Sequence, residues 1–340
     1  MNRFGLARYA SALVALALCS ACGGGPSVAP TTVAPDVRYV GRTLLVNGRP
    51  VTAARLNPLP RYATIVPDAR ASSKDFEYIF SEYGTYASIF DYPTSVKQVG
   101  SIKGDGGQGC TNVLYGYGNK FFWNVGGATQ ITEYRVIKTP IKTLSVNYYF
   151  PSSCAMDSNG NLAVGILYAT SSFSSGGEVV IFKNAKGSGT AYTTPLDEEF
   201  FDGYDNKGNL FADGFTGDRS GFALVELPKG STKFQTITTS NSVNFPGSVQ
   251  WDGTYLTVFD QNANETYRYT ISGTKAKLKG TVSYSGSSDC AQTWIVTGLL
   301  YCGDAGNDGG EVFKYPAGGS AIAVFTGKFD VPLGATAAAK

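Results

Sequence analysis

The chain is predicted to be all-β, a six-bladed β-propeller in which strands from the two ends of the sequence complete one blade. Three observations carry that expectation. The composition suits many short strands and tight turns, an aromatic or apolar strand end recurs at the spacing of a blade, and a C-terminal segment matches an inner strand that the first repeat lacks.

Hydrophobic residues make up 43% of the 340 positions and charged residues only 16%, with 42 Gly, 21 Tyr and 20 Phe. Aromatic residues favour half-buried pleated surfaces and glycines favour tight turns, so long helices are not expected. A length that would allow two domains is also filled by single propellers. The recurrence begins near residue 75. Tyr92, Tyr134, Phe182, Leu227, Tyr269 and Tyr315 each end a β-rich run, at spacings of 42, 48, 45, 42 and 46 residues. A period of 40 to 50 residues with strands throughout is the mark of a four-stranded blade. Gly176-Gly-Glu-Val179 and Gly309-Gly-Glu-Val312 are read as openings of the last strand of their blades.

A second marker keeps step with the first. Segments from Pro151 through Asp157 to Gly160, from Phe201 through Asp205 to Gly208, and from Pro246 through Asp252 to Gly253 each give a strand, an Asp/Gly turn and another strand. These hairpins resemble the inner hairpins of the NHL and related six-bladed propeller repeats, and the resemblance covers roughly residues 75 to 340. It implies architecture, since function resides in sites grafted on a fold. The run ending at Tyr92 lacks its inner strand, and residues 332–339 match the start of the strand at Pro151. The C-terminus is therefore expected to close the first blade and leave no open sheet edge.

Upstream, Arg3 and Arg8 precede an apolar run from Ala10 to Leu18, then Cys19-Ser20-Ala21-Cys22 and three glycines. This resembles a bacterial lipoprotein signal peptide. The resemblance implies cleavage after Ala21 and lipidation of Cys22, which small residues precede; Cys19 follows bulky Leu18. An ordinary cleaved signal peptide and a membrane anchor are the alternatives, and the run is too short to span roughly 30 Å of hydrocarbon. Gly23 in place of Asp implies the outer membrane if the host is Gram-negative. Residues 22–36, rich in Gly, Pro, Ala and Thr, read as a flexible tether. Residues 37–74 read as an irregular extension with a hairpin at Asn47-Gly48, and 75–340 as the propeller.

The sequence has no histidine, which excludes a Ser/His/Asp nucleophile system and any metal site that needs imidazole. Removal of Arg3 and Arg8 with the leader leaves 26 basic and 26 acidic residues, so a nucleic-acid partner is not indicated. Four cysteines remain beyond Cys22, and an exported setting permits disulfides. Cys290 and Cys302 flank a predicted hairpin whose turn lies near Val296-Thr297-Gly298 and are equidistant from Val296, so they should face each other across its strands, and Cys110 and Cys154 occupy matching positions on inner strands of neighbouring blades. The expected pairs are 290 with 302 and 110 with 154, the second if its Cα atoms approach within about 7 Å. Buried free thiols are the alternative.

Asp157, Asp205 and Asp252 recur at one blade position, where their side chains are expected to cap turns. Asp202, Asp213, Asp260, Asp289 and Asp304 are the candidates for a calcium site, placed to bring oxygens to one channel mouth as in six-bladed metal-dependent lactonases, although that family's ligand pattern is not recognisable here. Tyr92, Tyr134, Tyr269, Tyr315, Trp123 and Trp251 are expected in the core between blades. The reading is a monomeric binding or scaffold module anchored by lipid in the envelope, with a protein or polysaccharide partner, no cofactor and no catalytic residues. The alternative is a calcium-type lactonase or esterase using channel-mouth carboxylates.

Overall fold

The computed structural model describes residues 86–339 apart from short stretches, the longest being 112–119, together with strands at 37–40, 43–46, 49–50, 64–67 and 76–82. The leader, the tether and Cys22 lie outside the described residues, as do Asn47 and Gly48.

Among the described residues, strands of mostly three to eight residues group into six antiparallel blades. Blade 1 is built from Pro332–Ala339 innermost, then Phe76–Glu82, Tyr86–Phe90 and Gln98–Lys103. Blade 2 runs Gly109–Thr111, Lys120–Asn124, Gln130–Arg135 and Pro140–Ser145, and blade 3 Tyr149–Met156, Leu162–Tyr168, Glu178–Phe182 and Thr190–Thr193. Blade 4 comprises Glu198–Tyr204, Leu210–Thr216, Gly221–Leu227 and Gln235–Thr239, and blade 5 Val249–Trp251, Leu256–Asp260, Glu265–Ser272 and Lys275–Ser285. Cys290–Val296, Leu299–Asp304, Gly309–Lys314 and Ala323–Phe325 make blade 6. The closure is as expected: the C-terminal strand pairs with Phe76–Glu82 from Pro332 opposite Glu82 to Ala339 opposite Phe76. A further strand, Thr64–Pro67, pairs along Gln98–Lys103 at the outer edge of this blade.

Five of the six phase markers fall within two residues of the end of the third strand of their blade, and Tyr269 lies three residues before the end of its own. Gly176 and Gly309 accordingly precede or open third strands, and the expectation that they open the last strand is corrected. The reason is physical: the outer strands Thr190–Thr193 and Gln235–Thr239 are mostly exposed and polar, so they carry little of the apolar signal by which strands are recognised.

Burial follows the same radial order. The inner and second strands of blade 4 are buried almost throughout, as expected for strands covered by a blade on each side. Between blades, Phe200, Phe215 and Phe245 meet edge to face with centroids 5.0–5.8 Å apart. Tyr269 and Tyr315 are buried, and Tyr92 and Trp251 pack against the core clusters; the side chains of Trp123 and Tyr134 lie outside the described residues.

The inner strands are bonded to one another from blade to blade. Cys110 and Cys154 form a disulfide between blades 2 and 3, with Cα atoms 5.5 Å apart. Ser153 bonds to Asp202 between blades 3 and 4, and Gly247 N–H donates to Asp213 between blades 4 and 5. Between blades 5 and 6 the Gln250 amide bonds both ways with the backbone of Ile295, at 2.8 Å each. A β-bulge interrupts the inner hairpin of blades 1, 3, 4 and 6 close to the same end. Bulges re-aim side chains, and here they turn polar residues toward the neighbouring blade.

Candidate functional site

Asp157 caps its turn: Oδ1 accepts the amides of Asn159 and Asn161 at 2.8 Å each, and Oδ2 accepts the Asn161 side-chain amide at 2.7 Å. Asp205 repeats this with Lys207 and Asn209. Asp252 adds reach across blades, because beyond its own turn it accepts Arg268 Nε at 2.8 Å and the Tyr315 hydroxyl at 2.5 Å. Burial works against ionisation of Asp252, but these donors outweigh it and hold the carboxyl below its ordinary range. Arg268 also stacks over Tyr255, 4.6 Å from the ring centroid.

Asp260 and Asp304, at the ends of the second strands of blades 5 and 6, are bound by their own loops. Asp260 accepts the Asn244 amide at 2.6 Å and those of Asn262 and Ala263. Asp304 accepts the amides of Asp289, Gly306 and Asn307. Asp289 precedes the inner strand of blade 6. Asp213 stands inside its strand opposite Phe201, away from the strand ends that Asp260 and Asp304 occupy.

The closest gathering of acids involves Asp202 and a residue that the sequence reading passed over. Glu199, fully buried on the inner strand of blade 4, accepts the hydroxyls of Ser152 at 2.5 Å and Ser153 at 3.2 Å. Ser153 also donates to Asp202 at 2.9 Å, and the two carboxyls lie within hydrogen-bonding reach of each other. Gly165 makes room for them, since a Cβ there would fall on the Glu199 carboxyl and the Ser153 hydroxyl. Burial, then the Asp202 charge, pushes Glu199 well up; burial lifts Asp202 to about 7 and Asp213 well above its ordinary range. No Lys or Arg pairs with these three acids, and the ion pair found among the described residues is that of Arg268 with Asp252. Two buried carboxyls in contact without a described cation resist ionising together, which favours retention of one proton by the pair. Asp202 Oδ1 and Asp213 Oδ1 have no hydrogen-bond donor. Both acids of the pair are buried, between the inner strands of blades 3 and 4.

A second buried acid stands beside the other disulfide. Cys290 and Cys302 are joined with Cα atoms 5.6 Å apart. The hairpin pairs Val296 with Leu299 and Thr293 with Cys302, so its centre lies at 297–298. The bulge between Cys290 and Thr293 supplies the offset that lets the cysteines meet. Together with Glu311 they form the one group of three Cys, Asp or Glu side chains among the described residues with ligand atoms within 4.8 Å of one another. Two of those atoms are spent in the disulfide. Burial, then the nearby Asp304, lifts Glu311 to about 7. The five aspartates singled out for calcium are distributed over blades 4, 5 and 6, each in its own hydrogen bonds.

Glu199, Glu311, Ser152 and Ser153 were not legible as a group in the sequence. Glu198, Glu199 and Asp202 within one short aromatic-rich strand were the available signal, since acids in a buried run demand partners. The two disulfides mark a protein of an oxidising, non-cytoplasmic compartment. Among the described residues no helix is long and apolar enough to cross a membrane.

No protein-family model matches the chain, and no curated protein matches it in sequence. Solved structures do share its fold. A chain of a nidogen/laminin complex aligns with a TM-score of 0.57 at 11% identity, over 77% of this chain and 98% of that one. A protein of unknown function from Bacteroides caccae gives 0.56 at 12% identity, over 78% and 100%. A functionally unknown protein from Desulfotomaculum acetoxidans DSM 771 gives 0.53 at 8%, over 78% and 99%. At these identities the likeness is one of fold: the chain is a β-propeller.

Proposed function

We propose that the protein is a binding or scaffold module of the bacterial envelope, exported by its leader, lipidated at Cys22 and carried above the membrane on the 22–36 tether. The observation that carries this reading is the sealed state of the acidic groups. Glu199, Asp202, Asp213 and Glu311 are buried inside or between blades, which leaves the turn faces of the disc as the surfaces open to a partner. The nidogen/laminin neighbour, a propeller found in a complex, supports use of such a disc for binding. In a Gram-negative host, Gly23 after Cys22 favours the outer membrane, and the turn-capped inner hairpins keep the NHL-like reading of the repeat.

Two measurements test the proposal. Metabolic labelling with a fatty-acid analogue should mark the wild type and spare Cys22→Ala; equal labelling refutes the anchor. Cross-linking in isolated envelopes should give a discrete adduct that excess purified protein competes away. Hydrolysis of a lactone or ester, lost on Asp202→Asn, would replace the binding reading with a hydrolytic one.

A further inference from the structure

Within each blade all four strands are antiparallel, so first and third strands arrive at one face of the disc and second and fourth strands leave from it. The turns between strands one and two and between strands three and four therefore share that face. Their contacts agree: the Asn161 side chain accepts the amide of Asn184, and that of Asn209 the amide of Lys229, each at 3.0 Å.

Every lysine whose side chain is described belongs to this face, and every one is exposed. Lys97 stands in the turn of blade 1, Lys183 and Lys186 in that of blade 3, and Lys207, Lys229 and Lys233 in those of blade 4. Lys314 ends the third strand of blade 6, and Lys275, Lys277 and Lys279 occupy the first half of the outer strand of blade 5, where it leaves the face. Among the described residues none of them makes an ion pair. The acids of the same face are withdrawn, with Asp157, Asp205 and Glu226 buried and the Asp252 side chain 1% exposed. Among acids with described side chains, Asp197 alone is exposed, and it lies in a connection on the opposite face. The balanced charge of the mature chain makes this a sidedness and not a general basicity. Edge protection accounts for lysines on an outer strand such as Lys275–Ser285, but not for those in the turns.

We propose that this face docks on an anionic lipid bilayer. The lysines are spread over blades 1, 3, 4, 5 and 6, so they present a plane of charge. A planar surface engages all of them together, whereas a linear polyanion follows one groove. The proposal rests on the envelope-anchored reading and deepens it: the anchor holds the chain near a bilayer, and a basic face adds about 1 kcal/mol of attraction per lysine and sets which side of the disc meets the lipid.

The test uses the full chain carrying Cys22→Ala, which has no acyl group, so its outcome is independent of whether Cys22 is lipidated. The chain is sedimented with vesicles of phosphatidylcholine alone and with vesicles containing phosphatidylglycerol. Binding to the second and not the first, weakening as salt rises, is expected. Replacing Lys183, Lys186, Lys229 and Lys233 together by Gln should weaken partition by about fivefold for each charge removed, and several hundredfold in all. The melting temperature should stay unchanged, because these exposed side chains make no ion pair. Equal binding to both vesicle types, or unchanged binding of the fourfold variant, overturns the proposal. So does retention on an acidic polysaccharide such as polygalacturonate without binding to either vesicle.

Discussion

Replacing Asp202 by Asn tests the proton shared between blades 3 and 4. The Asn side chain keeps an oxygen for the Ser153 hydroxyl, which lies 2.9 Å from Asp202, and its amide can donate to Glu199 where the proton did. Asp202 has a folded pKa raised by burial from 3.8 to about 7. A carboxyl raised in this way contributes most below its unfolded pKa, and the contribution is lost as pH rises toward the folded value. The slope is about 1.4 kcal/mol per pH unit, because the unfolded chain releases a proton that the native state retains. Asn has no proton to release. The variant should therefore gain on the wild type steadily from pH 4 to pH 7, by about 4 kcal/mol in all, and then level off. In thermal unfolding followed by circular dichroism, about 2–4 °C per kcal/mol is expected for a domain of this size, hence a relative gain of roughly 10 °C. A constant difference between variant and wild type across this range would refute the shared proton, whatever its size.

Three further outcomes follow from the same geometry. Removing residues 331–340 takes away the whole inner strand of blade 1 and should abolish cooperative unfolding; an unchanged melting curve would contradict the closure. Replacing Cys110 and Cys154 together by Ser should cost about 4 kcal/mol and replacing Cys290 and Cys302 about 3 kcal/mol by loop entropy, measured by urea unfolding under non-reducing conditions, with the first pair the costlier. Gly165→Ala should cost about 2 kcal/mol or more by forcing Glu199 and Ser153 apart, and circular dichroism melts that match the wild type would show that the niche yields freely.

The architecture was legible because the inner hairpins and third strands carry strong local signals. Asp157 and Asp205 with their glycines mark turns in any context, and Tyr269 or Phe182 marks an apolar strand end. The outer strands were not legible, since Thr190–Thr193 has little apolar pattern and pairs only along one edge. The Cys290–Cys302 bridge and its turn near 296–298 were legible from spacing, but not the register, in which Cys290 stands opposite Asp304 and Cys302 opposite Thr293, because a bulge adds a residue that no pattern of period two reveals. The acidic pair was illegible for a different reason. Glu199, Asp202, Ser153 and Gly165 come from two blades, and their proximity is a property of the ring, whereas each alone reads as an ordinary strand residue. The sidedness of the lysines was likewise invisible in a balanced net charge, and emerges once strand direction assigns each turn to a face.

The pairing of Phe76–Glu82 with Pro332–Ala339 sets the order of events in the life of the chain. The ring cannot shut until residues 332–339 have met the strand that starts at Phe76, because they supply the innermost strand of the first blade. Until then the second strand of that blade has an unfilled edge and the core between blades 6 and 1 is open. The two segments stand about 250 residues apart in sequence, so this closure is the longest-range pairing in the disc and the one whose loop entropy is costliest to offset.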